Sequence, residues 1–463
     1  MGTTLLLSAV LGVELFGSYT FAITVVTLVS VFSPLGLDSG AVYFGAQYHK
    51  RDVAKQRSMI IKGFVITSLA GVIFATGLWF CASFFENPDP IRHIAPVLLF
   101  WNPLLFSVGV LRSIKDMKGN AIVFQLVPSL LLVVGASITY FGSLSLVEAL
   151  WLYSVAIAIS AGVGMFRVWN KLGHVLGQKD IKDDYSLTEQ LKYSIPQSLA
   201  GFTFRLTVWM DIIMIGVLST DRELGLYRIA SALAVMGALP VSALSTILNP
   251  IIARNVSDKA WQELNKTLKT VTRWLMSISL PVLCAMFLLP DLLLLMFGEQ
   301  YQESQTSLLI LIAGQFIWVS CAMAMRLIPM SGHSTLTLIN GLIAAILNII
   351  LNLWLIPKYG AIGAAISTAT TLALWSLWRL VEIWHLMKCF PFSKASFGIF
   401  IVGVAYALGM YPFLISQSLW IRVPIVTMIS GAFFYFSFQF GGEEADVEIK
   451  QLFLSKFRKR SAK

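Results

Sequence analysis

Residues 334–384, STLTLINGLIAAILNIILNLWLIPKYGAIGAAISTATTLALWSLWRLVEIW, decide the class of this protein. The first 23 of them carry no charge, and beyond Pro357-Lys358-Tyr359-Gly360 a second apolar run continues to Arg379. A helix needs about 20 mostly apolar residues to cross a bilayer, so the stretch reads as two crossings joined by a tight turn. The same signal recurs throughout the 463 residues, of which 57% are hydrophobic and 13% charged, against about 25% charged in soluble domains. An ordinary soluble enzyme is excluded, and the expectation is an all-α membrane protein.

Apolar runs between charged connectors place spans near 17–40, 58–83, 93–111, 121–141, 146–166, 193–218, 224–252, 271–297, 304–328, 334–356, 361–384, 396–415 and 421–440. An incomplete span, 2–12, precedes them, which makes a 14-helix bundle with an apparently truncated first helix. The expectation is that the missing half of that helix lies upstream. No basic start or small-residue cleavage site marks it as a secretory signal.

The connectors alternate in charge. One set, around 50–62, 112–118, 167–192, 254–273, Arg326, 379–394 and 450–463, holds 28 of the 34 Lys and Arg. The other, around Glu14, Glu86–Arg92, Glu148, Asp221–Arg228, Glu299–Glu303, Lys358 and Arg422, holds five. Basic connectors stay in the cytoplasm, so both termini are expected there, in a multi-pass protein of the cell inner (plasma) membrane. The net charge of +10 therefore belongs to loops at a membrane face, and no nucleic acid partner is implied. Cys81, Cys284, Cys321 and Cys389 show no disulfide or zinc spacing and read as packing residues.

Two segments look alike. Glu14-Leu15-Phe16-Gly17-Ser18-Tyr19 precedes one span, and Glu223-Leu224-Gly225-Leu226-Tyr227 precedes another. Each opens a long helix containing proline (Pro34; Pro240 and Pro250) that ends at a basic connector. Spans 1–6 and 7–12 thus read as two copies. An even number of crossings per copy puts their pseudo-two-fold axis along the membrane normal, as in two-lobed transporters. The expected organisation is an N-terminal lobe over 1–190, a C-terminal lobe over 191–390, two extra helices over 391–440 and a basic cytoplasmic tail over 441–463. Within the connector 257–273, Trp261, Leu264, Leu268, Val271 and Leu275 fall at helical spacing between lysines. They predict an amphipathic helix on the membrane surface.

Asp211-Ile212-Ile213-Met214-Ile215-Gly216 with Glu223–Tyr227, and the block from Asn348 through Asn352, Pro357-Lys358-Tyr359-Gly360 to Ala365, resemble the polysaccharide transporter branch of the multidrug, oligosaccharidyl-lipid and polysaccharide exporter superfamily. Gly17-Ser18-Tyr19 and Leu35-Gly36-Leu37-Asp38 fit the same pattern. The resemblance runs from Leu11 to about Gln439. It implies a 14-helix flippase that carries a polyprenyl-pyrophosphate-linked oligosaccharide to the outer leaflet, as O-antigen and capsule repeat-unit translocases do. Membrane lipids, a polysaccharide polymerase and chain-length machinery are the implied partners.

Arg205 lies mid-span, where a charge costs about 2.5–3.5 kcal/mol on insertion scales, so it should face a bundle interior or a wet cavity. Its planar fork of donors suits a pyrophosphate, and Phe202 and Trp209 share its face for stacking on sugars. The bland reading is an arginine held by backbone carbonyls or by an acid such as Asp211. Asp211 itself reads either as an ion-coupling carboxylate or as a cap for polar groups on the next helix. Thr27, Ser30, Pro34 and Asp38 form one polar stripe, and Thr337, Asn340, Asn348 and Asn352 another. Asp38, Asn348 and Asn352 are substrate-binding candidates, although intramembrane amides commonly serve to bond helices together.

There is no phosphate-binding loop and no H-E-x-x-H, and His49, His93, His174, His333 and His385 are scattered, so no cofactor or metal is expected. A transporter is favoured over an enzyme. A multidrug/cation antiporter shares the lobed architecture but usually stops at 12 helices and would favour a carboxylate-rich cavity. A membrane glycan polymerase or ligase would need a larger outer loop.

Overall fold

The computed structural model describes residues 2–49, 51–139, 144–177, 185–258, 260–331 and 334–439. The tail 441–463 and the middle of the 167–192 connector lie outside them. The described residues form helices and no strands, and they divide into two compact units, Met1–Arg228 and Ile229–Lys463.

The first unit contains α1 (Gly2–Phe32), α2 (Leu37–Tyr48), α3 (Val53–Cys81), α4 (Asp89–Ile94), α5 (Leu98–Ser113), α6 (Met117–Ala121), α7 (Val127–Thr139), α8 (Leu146–Leu176), α9 (Leu187–Leu218) and the start of α10 (Asp221–Met236). Starts are set by side-chain caps: Asp52 accepts the Lys55 N–H at 2.9 Å, and Ser145 with Glu148 forms a capping box. α1 contains a non-helical residue, Gly12, with φ 73° and ψ 176°. That region is essentially open only to glycine, so 2–11 and 13–32 are separate helices and the expected partial span is a segment of its own. The predicted span 17–40 is likewise interrupted. Pro34 lacks an N–H, Leu35 (φ 53°) and Gly36 (φ 69°) are left-handed, and α2 starts afresh. The break is fastened by Asn102 on α5, whose Oδ1 accepts from Ser33 and whose Nδ2 donates to the Thr67 carbonyl at 3.3 Å.

The unit ends 38 residues beyond the lobe limit read from the repeat, because α9 packs along α1 and α2.

The second unit contains the rest of α10, α11 (Leu239–Ser257), α12 (Trp261–Leu288), α13 (Pro290–Leu295), α14 (Gln305–Met325), α15 (Leu327–Met330), α16 (Ser334–Met387), α17 (Lys394–Leu414) and α18 (Leu419–Gln439). α10 and α11 bend by 44° at Gly237–Ala238, inside the predicted span 224–252. α16 is two crossings joined at Gly360 (φ 52°, ψ −128°), as the opening stretch of sequence predicts. The amphipathic connector is the first part of α12 rather than a separate surface helix. No glycine or proline interrupts 261–280, so the helix runs on, with Leu264, Leu268, Val271 and Leu275 buried and Trp261 exposed. Counting α1 and α16 as two each, joining α2 to the second part of α1, α4 to α5, α6 to α7 and α10 to α11, and leaving out α13 and α15, gives fourteen helical segments among the described residues, the first (2–11) too short to cross alone. α17 and α18 leave most of their surface uncovered by protein.

Two charge pairs fasten the helix ends. Arg422, 2% exposed, donates from Nη2 to Asp291 Oδ2, and Gln302 donates to the Asp291 carbonyl at 2.8 Å. Removing the arginine leaves the Asp291 carboxylate, itself 30% exposed, without its partner, at a cost below the ~3–5 kcal/mol of a fully buried pair. Arg422→Ala should therefore lower the thermal unfolding midpoint markedly, while Arg422→Met with Asp291→Leu should restore much of it. An unchanged midpoint in the single variant would refute this role.

At the basic end of the first unit, Arg167 grips Asp116 through Nε (2.8 Å) and Nη2 (3.2 Å), and Asp116 also accepts the Gly119 N–H at 2.9 Å. The Arg167 hydrogen bonds hold the Asp116 carboxyl below the usual carboxylate range. A depressed carboxylate pKa adds stability that is complete above the unfolded value and lost as pH falls through the folded one. Wild-type protein should therefore lose more stability than Asp116→Asn on acidification below about pH 4. Parallel acid titrations of unfolding in both proteins would deny the linkage.

Candidate functional site

α1–α2 and α9 run antiparallel, and the residues between them are small or apolar on both sides. Near the basic end, a Cβ on Gly36 would stand 2.1 Å from the Ser194 carbonyl oxygen. Further along, Ser198 Oγ donates to the Val31 carbonyl at 3.0 Å, and the Phe32 and Phe202 rings meet edge to face with centroids 6.4 Å apart. Toward the other end, a Cβ on Gly216 would lie 2.2 Å from the Phe21 ring. Beyond it the two look-alike segments touch each other. A Cβ on Gly17 would meet the Asp221 carbonyl oxygen at 1.7 Å, one on Gly225 would meet the Val13 carbonyl oxygen at 2.1 Å, and Ser18 Oγ donates to the Asp221 carboxylate. Backbone approaches backbone there because neither residue has a side chain.

At 100° per residue, Ser198, Phe202, Arg205, Trp209 and Gly216 fall within about 60° of one another on α9. Ser198, Phe202 and Gly216 touch α1. Arg205 lies between them on the same stripe, its side chain is exposed, and it makes no ion pair among the described residues. The helix pair is thus joined on either side of a free guanidinium.

The other predicted residues are placed as follows. Phe202 is half-buried against Phe32. Trp209 carries the Arg228 guanidinium 5.6 Å above its ring, a cation–π contact. Asp211 accepts a hydrogen bond from Tyr227 Oη at 2.8 Å. Tyr227 and Arg228 were not legible as site residues, because they read as a helix start and a loop charge; their place next to the repeat segment was the available signal.

Asp38 is in the first turn of α2, where an acid suits the helix N-terminus. Its chain enters beside Ser194, about 16 Å along α9 from Arg205 at 1.5 Å per residue. Thr27 and Ser30 are buried, and Ser30 donates to the Thr27 carbonyl of its own helix at 2.7 Å. Asn348 and Asn352 belong to the second unit, where Asn352 is buried and donates to Asn348 Oδ1 at 3.0 Å. Arg205, Phe202, Trp209 and Asp211 therefore form one helix-borne group, flanked by Tyr227 and Arg228. Among the described residues no three His, Cys, Asp or Glu side chains converge as metal ligands would.

Among the described residues, apolar helical crossings broken at Pro34–Gly36 and at Gly237–Ala238 define an all-α multi-pass membrane fold. The solved structure of a "Lipid II flippase MurJ, inward closed conformation" matches 97% of this chain and 96% of its own, with a TM-score of 0.73 at 14% identity. An inward-facing multidrug resistance transporter of the MATE family follows, over 84% and 94% of the two chains, with a TM-score of 0.66 at 14% identity. The chain belongs to the polysaccharide biosynthesis protein family, which matches residues 1–256, within the superfamily of multidrug, oligosaccharidyl-lipid and polysaccharide exporters.

The MatE family also matches residues 196–354. Two proteins of Haloferax volcanii are similar in sequence. The "probable low-salt glycan biosynthesis flippase Agl15" is 26% identical over 221 residues, 47% of this chain and 46% of its own, and the "probable flippase AglR" is 26% identical over 212 residues, 44% of each. The match spans about half the length of these curated relatives.

Proposed function

We propose that the protein is a flippase that moves a polyprenyl-pyrophosphate-linked oligosaccharide across the plasma membrane by alternating access. The observation that carries this reading is Arg205, an exposed guanidinium at mid-helix on the stripe of α9 whose neighbours touch α1. A charge is retained in a spanning helix when it serves a polar ligand or a partner, and Arg205 makes no ion pair among the described residues. A pyrophosphate accepts the bidentate geometry that guanidinium offers. The names of the glycan flippases among its relatives support the same substrate class.

In this reading Phe202 and Trp209 flank the headgroup and the Arg228 contact presents the Trp209 ring. Asp38, Asn348 and Asn352 are secondary substrate contacts, and Asp211 is the ion-coupling candidate. The repeat-related lobes are the moving parts, and both termini lie in the cytoplasm. An O-antigen or other surface-polysaccharide repeat unit is the cargo, handed to polymerase and chain-length proteins. The chemistry is transport, not bond-breaking.

The experiment is complementation of a strain lacking its own translocase, with surface glycan display as the readout. Restored display supports the proposal, and undiminished accumulation of lipid-linked repeat units on the inner leaflet refutes it. Reporter fusions give the orientation independently: positions after Arg51, Lys118, Lys266 and Lys394 should report cytoplasm, and Asn87 and Gln300 the outside. An external signal at Lys266 would overturn it. The MatE match over 196–354 favours a second reading, a cation antiporter coupled through Asp211. It predicts drug resistance without glycan display.

A further inference from the structure

Gly36 and Gly40 stand one helical turn apart where α2 begins, and Ser194 and Ser198 stand one turn apart on α9. Small residues at this spacing let two helices approach backbone to backbone within a membrane. They do so here. A Cβ on Gly36 would lie 2.1 Å from the Ser194 carbonyl oxygen, and one on Gly40 would lie 2.2 Å from Ser194 Oγ. Aromatic rings close the rim of this seat toward the basic end. Tyr43 and Tyr193 stack with centroids 4.5 Å apart and planes inclined by 17°, and Phe44 meets Tyr193 edge to face at 5.7 Å.

The two serines are not equivalent. Ser198 Oγ donates to the Val31 carbonyl at 3.0 Å. Ser194 Oγ is buried against Gly40, which has no polar side chain to offer, and it makes no hydrogen bond among the described residues. Gln190, one turn away on α9, is satisfied on one side only. Its Oε1 accepts from Tyr185 Oη, whereas Nε2, 3.0 Å from the position of a Cβ on Gly40, is buried and has no partner among the described residues. A buried polar atom without a partner is costly, more so than the net gain from a typical hydrogen bond. Contact between α9 and α2 therefore carries an opposing cost, which disappears when the helices part and water reaches both atoms.

We propose that the α2–α9 seat is a gate poised near balance, held shut by close packing at Gly36, Gly40, Tyr43 and Tyr193 and urged open by the unpartnered side chains of Ser194 and Gln190. Alternating access requires only that such a contact break and re-form. Here two named atoms set the ratio of closed to open at the basic end. The proposal rests on the flippase reading for the use made of this motion, but the ratio itself is measured without transport.

The test uses the full chain in phosphatidylcholine nanodiscs. Spin labels are attached through p-acetylphenylalanine at Gln47 on α2 and Gln197 on α9, both exposed, so that the four native cysteines stay in place. Double electron–electron resonance should give two distance populations, a short one for contact and a longer one for parting. Ser194→Ala removes an unpartnered hydroxyl and should raise the short-to-long ratio about tenfold, equivalent to 1.4 kcal/mol. Ser198→Ala, the same chemical change one turn along the same helix, removes a hydrogen bond across the seat and should lower the ratio. Tyr43→Ala, which takes away the stacked ring, should lower it too.

A single distance in the wild type, an unchanged ratio in Ser194→Ala, or a shift of both serine variants in the same direction would overturn the proposal. Because no substrate enters this readout, a ratio that moves as expected in a protein that fails to display glycan keeps the gate and loses the flippase reading. Glycan display with an unmoved ratio does the opposite.

Discussion

Arg205→Ala is expected to abolish surface glycan display while protein abundance stays normal. Removing a mid-span charge eases insertion by about 2.5–3.5 kcal/mol, so loss of activity would not follow from failure to enter the membrane. Hydrogen bonds to charged groups contribute about 1.5–3 kcal/mol each. Losing a two-pronged grip on a pyrophosphate should therefore slow translocation by at least about a hundredfold. Arg205→Lys should restore only part of the rate, since it keeps the charge and loses the planar fork. The measurement is glycan display against protein level in a strain without its own translocase. Normal display by Arg205→Ala would remove this side chain from the transport cycle. Loss of display together with loss of protein would instead point to a structural cation.

Gly225→Leu should be nearly as severe, by a different route. The missing Cβ at Gly225 leaves 2.1 Å to the Val13 carbonyl, and that at Gly17 leaves 1.7 Å to the Asp221 carbonyl. These are backbone atoms that cannot swing away, so any side chain must push α10 from α1. Overpacking of this kind costs about 1–3 kcal/mol, enough to change the population of the joined arrangement by about five- to a hundredfold. Ser18 is buried and bonded to Asp221, so Ser18→Cys should react slowly with an external, membrane-impermeant maleimide. Adding Gly225→Leu should speed that reaction and depress glycan display. Unchanged labelling with normal display would show that the contact has no part in gating.

Most of the spans were legible, because each apolar run ends in charge or in a Pro-Gly turn and hydropathy needs no tertiary information. The turn at Gly360 is an example, since Pro357 and Gly360 limit the backbone by themselves. Where a run bends was harder to read. Pro34 marks its break directly, but α10 and α11 part at Gly237–Ala238, ahead of Pro240. The likeness of the Gly17 and Gly225 segments was visible, whereas their direct contact depends on how α9 and α10 lie against α1. Arg205 stood out because a charge in an apolar span is conspicuous on its own. Tyr227 and Arg228 did not, because only packing brings Asp211 and Trp209 to them.

The last two helices have lipid for most of their solvent. α18 has 21 residues, a rise of about 31 Å, close to the thickness of an average hydrocarbon core. Little protein covers it, while Arg422 pins one end to Asp291. A thinner bilayer or a short-chain detergent must then be met by tilting about that pin, at fractions of a kcal/mol per Å of mismatch. The choice of amphiphile thus becomes a structural variable for this region, and acyl-chain length should alter the hydrogen-exchange rates of α18 before it disturbs the more enclosed α12.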